Sequence, residues 1–153
     1  MSKPDPYLDP ETSVFDPKAL FSKTWLPAAT EHLGTALLDC DVEEGWVRLS
    51  FEPKPEFVNP HGGIQGGFIS AMLDECFSFA AFIHMKGAYR TPTIEMTTQF
   101  ISQAKVETLT GEGRVVKAGR SVVFSEASLF RGDGKLCAKA TASTLLVPMT
   151  PKS

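Results

Sequence analysis

Three kinds of group able to act on a carbonyl lie close together between Asn59 and Ser78: the carboxamides of Asn59 and Gln65, the backbone amides of Gly66 and Gly67, and the carboxylate of Asp74. The paired glycines run straight into Phe68 to Ile83, where almost every residue is apolar, a pattern that predicts a helix wrapped on most sides by other structure. Amides at a helix N-terminus lack partners within the helix, and the helix dipole favours negative charge beside them. Glycine leaves those amides open to a ligand. The turn is therefore a candidate oxyanion hole, with Asn59 as an extra donor. Glycines serving only the turn and close packing account for the same residues.

Ser70, Asp74 and Ser78 recur at i, i+4 and i+8, which lines polar groups along one stripe of the helix. A carboxylate there loses hydration and must find a partner or shift its pKa, so its presence hints at function. A structural carboxylate bonded to Ser70, Ser78 or backbone is the alternative. Asp74 lies about 12 Å along the helix from Gly66 at 1.5 Å per residue. One carbonyl cannot touch both within a chain. If both act on the same atom, they come from two subunits whose helices lie side by side and antiparallel, which predicts a homodimer with symmetric sites in its interface.

The elements that must hold this stretch follow from pattern and punctuation. Residues 1–16 are rich in proline and acid and read as a flexible tail, with residues 17–150 as one domain. Asp16-Pro17 reads as a helix cap followed by proline in the first turn, with Ala19, Leu20, Ser22, Lys23 and Trp25 continuing a short helix, Pro27 a point of interruption and Gly34 its end. Thr35 to Val42 and Trp46 to Phe51 flank Glu43-Glu44-Gly45 as a hairpin. Four strand-like segments follow the helix: 91–101, 105–117, 121–131 and 135–147, the last two joined by Arg131-Gly132-Asp133-Gly134. In the first of these, alternation puts Ile94, Met96, Thr98 and Phe100 on one face and Thr93, Glu95, Thr97 and Gln99 on the other. Leu136, Ala138, Ala140 and Ala142 share a face of the last, and its row of alanines is a place for a helix to approach closely. The result is an α+β domain in which an antiparallel sheet wraps one long central helix.

At 153 residues the chain can bury a core without metal or disulfide staples. A formal net charge of -3 leaves no footprint for nucleic acid, and no run resembles a signal peptide or membrane span. Cys40, Cys76 and Cys137 form no CxxC pair and read as reduced core cysteines, which points to the cytoplasm. His32, His61 and His84 lack the spacing of ligands, so no metal is expected.

Asn59, the Gln65-Gly66-Gly67 turn six residues on, and Asp74 nine residues after Gln65 resemble the hotdog-fold acyl-CoA thioesterases, specifically their phenylacetate-degradation-like branch. The likeness spans roughly residues 33–147. His61-Gly62-Gly63 imitates the family's His-Gly-Gly, but that register would place Pro55 at the asparagine and Ser70 at the acid. The resemblance implies a hotdog domain that hydrolyses aryl- or medium-chain acyl-CoA as a homodimer or a dimer of dimers, with coenzyme A as part of the substrate and no cofactor. It implies that the Gly66 amide is the oxyanion donor and that Asn59 orients the thioester or water. Asp74 is then the general base or nucleophile from the opposite subunit, Ser78 or Thr93 holds the water, and Gly67 and Arg120 contact substrate, with Arg114 and Arg131 as further basic candidates. Phe68, Phe77, Phe79 and Phe82 are candidates for an acyl pocket. Gln65 stands where the family usually has histidine, which leaves open a non-catalytic acyl-CoA binding protein. A hydratase is disfavoured because Phe79 occupies the place of its histidine.

Overall fold

The computed structural model describes residues 14–22 and 26–149. Asp16 caps a 3₁₀ turn, Pro17–Phe21, its carboxylate accepting from the Lys18 amide at 2.9 Å. The turn is tighter and shorter than the expected helix; Lys23 and Trp25 lie outside the described residues. A one-turn helix, α1 (Ala28–His32), starts after Pro27, and Gly34 follows it at φ +66°. The hairpin forms as expected from β1 (Ala36–Asp41) and β2 (Trp46–Phe51), with Gly45 supplying the left-handed turn conformation at φ +62°. The long helix α2 spans Gly66–His84. Then come β3 (Tyr89–Arg90), β4 (Thr93–Phe100), β5 (Leu109–Ala118), β6 (Val122–Phe130), β7 (Leu136–Leu145) and β8 (Val147–Pro148), which pairs with β3.

Six strands form one antiparallel sheet in the order β1-β2-β5-β6-β7-β4. The hairpin thus extends the sheet that follows the helix, and β4 crosses to the far edge. By length and apolarity α2 matches a membrane span. Here it is the core helix: Ile69, Met72, Leu73, Cys76, Phe77, Ala80 and Ile83 are buried in one cluster with Val47, Leu49, Phe51, Leu109 and Leu129 of the sheet. Fully burying a side chain of this size contributes roughly 1.5–3 kcal/mol.

The alanines of β7 are buried as expected, but the closest approach of helix to sheet is on β5. A Cβ at Gly113 would overlap the Cys76 carbonyl, and one at Gly111 would overlap its Sγ. Two glycines let the helix backbone sink onto the strand, which alanines cannot.

The register of β4 departs from simple alternation. Thr93 pairs with Thr144 and Met96 with Ala142, with a bulge between Thr93 and Glu95. Thr144 and Ala142 both face the helix, so one extra residue returns Thr93 to the helix side instead of leaving it with Thr97 and Gln99.

Candidate active site

The turn before α2 is built by Asn59. Its Oδ1 accepts from the amides of His61 at 2.9 Å and Gly63 at 3.2 Å, and its own N–H donates to the Gly63 carbonyl at 2.8 Å. His61-Gly62-Gly63 is therefore a closed loop, with Gly62 at φ +84°. The amide oxygen of Asn59 is spent on that loop; its Nδ2 makes no hydrogen bond among the described residues. Gln65 precedes the helix with ψ 135° and no side-chain cap bond, its carbonyl accepting from Phe68 and Ile69. The amides of Gly66 and Gly67 have no partner among the described residues. The Phe100 ring stands 3.3 Å from where a Gly66 Cβ would lie.

Eight residues along the helix, Thr93 Oγ1 donates to Asp74 Oδ1 at 2.9 Å. No hydrogen bond joins Asp74 to Ser70 or Ser78, the partners its helical stripe suggested. Burial pushes the Asp74 carboxyl above its ordinary value, and the Thr93 bond pulls part of the way back. Its second oxygen is uncommitted among the described residues and able to accept from water.

Glu75 escaped sequence reasoning. Thr35 Oγ1 donates to its Oε2 in a short bond. Burial raises the Glu75 carboxyl, the Thr35 and Thr30 hydroxyls lower it, and the neighbouring Asp74 charge raises it further. The signal was present: Phe68 to Ile83 holds two adjacent carboxylates and no lysine or arginine, so each needs a neutral donor from elsewhere in the fold.

Two separate hollows result. One, about 370 Å³, is lined by Asn59, Gly66, Phe100, Ser102 and Gln103. The other, about 240 Å³, is lined by Asp74, Glu75, Ser78, Phe79 and Phe82. Within one chain the amide donors and the carboxylate thus open into different spaces, as their separation along α2 requires.

Other candidates fall further out. Phe77 is core, and Phe68 stacks on Phe57 with ring centroids 3.9 Å apart. Arg131 pairs with Asp133, and Arg114 lies beside Glu112 and Glu126 in a polar hollow on the sheet. Ala118, Val123, Thr144 and Thr93 form one row across four strands, so the β5–β6 turn carrying exposed Arg120 lies at the Thr93 end of the sheet. His84 donates from Nδ1 to the Val42 carbonyl at 3.1 Å, a structural bond. Among the described residues no three of His, Cys, Asp and Glu come together as metal ligands would.

Comparison with known proteins agrees with this architecture. The family model described as Thioesterase superfamily matches residues 61–138. A presumed esterase of Sulfurisphaera tokodaii is 33% identical over 99 residues, 64% of this chain and 72% of that protein. The crystal structure of a presumed thioesterase from Ralstonia eutropha JMP134, related to phenylacetic acid degradation, superposes with a TM-score of 0.75 at 30% identity, covering 78% of this chain and 90% of that one. A Streptococcus mutans protein bound to acetyl-CoA shares the fold, with a TM-score of 0.68 at 19% identity over 76% of this chain and 91% of that one.

Proposed function

Since the chain belongs to the thioesterase superfamily and is a thioester hydrolase of the hotdog fold, we propose that it cleaves aryl- or medium-chain acyl-CoA at a site shared between two subunits. One observation carries this reading: unpaired amides at the start of α2 and a desolvated carboxylate eight residues later open into different hollows of the same chain. A two-fold axis that sets two such helices antiparallel brings the Gly66 end of one against Asp74 of the other.

Exposed apolar groups support the pairing. The edge strand β4 and the residue after it expose Ile94 (58%), Phe100 (59%) and Ile101 (51%), and α2 leaves Gly67, Ser70, Ala71 and Asp74 only partly covered. Pairing of two β4 edges would cover both. Acyl-CoA as substrate class draws on the fold neighbour bound to acetyl-CoA.

In this site Asp74 takes a proton from water, and the hydroxide adds to the thioester carbonyl carbon. The oxyanion accepts from the Gly66 amide, with Gly67 beside it. Collapse breaks the C–S bond and returns the proton to the departing CoA thiolate. Thr93 fixes the carboxylate, and Ser78, on the same wall of the hollow, can hold the water. Direct attack by Asp74, through an acyl anhydride that water then opens, uses the same groups. Gln65 supplies a hydrogen bond but no charge change near neutral pH.

The test is thiol release across a panel of acyl-CoAs with wild type and Asp74→Asn. Hydrolysis by wild type, falling about 10²- to 10⁴-fold in the variant, is the expected outcome. No release from any member would leave an acyl-CoA binding protein instead.

A further inference from the structure

Residues 14–33 precede the part of the chain that the superfamily match covers, which begins at residue 61. Two of their side chains nonetheless stand at the carboxylate end of the site. Leu20, 6% exposed, and Pro27 line the 240 Å³ hollow together with Asp74, Phe79 and Phe82 of α2.

The described residues on either side of this hollow are held at several points. Phe15 lies against Phe82 with ring centroids 6.4 Å apart, and Phe21 packs on Phe79 at 4.7 Å. The Asp16 cap holds the turn that carries Leu20. Further on, Thr30 and Thr35 are tied to Glu75 on α2, and Leu33 is buried. Leu20 is thus presented to the hollow from a backbone pinned on both sides.

We propose that this N-terminal segment, through Leu20 and Pro27, sets the length of acyl group the enzyme accepts. The inference rests on the reading in which Asp74 acts at the thioester carbonyl. With the carbonyl at Asp74, the acyl tail extends along Phe79 and Phe82 until Leu20 and Pro27 stop it. A dry cavity of about 150 Å³ takes one benzene ring. A hollow of 240 Å³ therefore takes a ring with a short linker, or an alkyl chain of similar bulk. Asp74 and Glu75 on its wall disfavour an acyl group bearing a second carboxylate.

The experiment compares wild type, Leu20→Ala, Leu20→Phe and Pro27→Ala on saturated acyl-CoAs from two to sixteen carbons, with phenylacetyl-CoA alongside. Non-hydrolysable thioether analogues of the same lengths are titrated by calorimetry. Leu20→Ala should raise the kcat/KM ratio of long over short chains at least about tenfold, since one methylene in an apolar pocket is worth that much. Leu20→Phe should lower that ratio, and Pro27→Ala should shift it as Leu20→Ala does. A merely structural segment would move all lengths in parallel, and that result overturns the proposal. If no thioester is cleaved but the analogues bind with a length limit that Leu20→Ala extends, the gauge stands and the hydrolytic assignment fails. Binding without any length limit overturns the gauge whatever the activity.

Discussion

Thr93 on β4 and Asp74 on α2 meet through a 2.9 Å hydrogen bond only because a bulge turns Thr93 toward the helix. The hydroxyl donates, so it favours the ionised carboxylate, against burial that favours the neutral acid. The balance decides at what pH a base at this position is available. A bulge beside a reactive group is a common way to re-aim one side chain without moving a sheet.

Thr93→Val removes the donor and keeps the side-chain shape. The Asp74 carboxyl then rises further, and the acid limb of kcat/KM against pH moves to higher pH. Because Asp74 and Glu75 interact, the limb belongs to the pair, and its displacement rather than its absolute position is the quantity to read. An unmoved limb would mean that the hydroxyl does not tune the base.

Asp74→Asn separates activity from stability. A carboxyl whose folded pKa lies above its ordinary 3.8 binds its proton more tightly in the native state. Stability is therefore lost as pH rises from that value through the raised one, and the loss is complete above it. Asparagine carries no such loss and can still accept from Thr93. The variant should melt higher than wild type at pH 7 and hydrolyse far less. Equal or lower melting at pH 7 would show that the carboxylate is not strained by burial.

The local signals were legible and the non-local ones were not. Glycines at 34 and 45 and the Gly66-Gly67 pair mark backbone events, so the hairpin and the start of α2 could be read directly from residue type. The β4 bulge could not, because one extra residue is invisible until the partner strand fixes the register. Strand order was hidden for the same reason, as β4 pairs with β7 and not with its sequence neighbour β5. Glu75 was passed over because helical spacing drew Ser70, Asp74 and Ser78 into one stripe and left it to the side. Its partner Thr35 lies 40 residues away.

Gly113→Ala tests the approach of helix to sheet. The added methyl would overlap the Cys76 carbonyl, which is backbone and cannot rotate away. Overpacking of this kind costs about 1–3 kcal/mol or more. A urea midpoint lowered accordingly, with the slope unchanged, is expected; an unchanged midpoint would mean that α2 shifts freely over β5.

The shared site can be tested by complementation. Gly66→Pro removes the amide proton at the first helical position, where proline is tolerated. Gln65 already has ψ 135°, the extended conformation that a residue before proline prefers. The Phe100 ring lies 3.3 Å from the new Cβ, a contact that a small shift of that side chain relieves. Each of Gly66→Pro and Asp74→Asn alone should be nearly inactive, with native circular dichroism. Refolded together, half of the dimers are mixed, and each mixed dimer holds one site with an intact Gly66 from one subunit and an intact Asp74 from the other. Roughly a quarter of wild-type activity should return if the interface is two-fold and the partners exchange at random. Sites built within single chains would give no recovery at any mixing ratio.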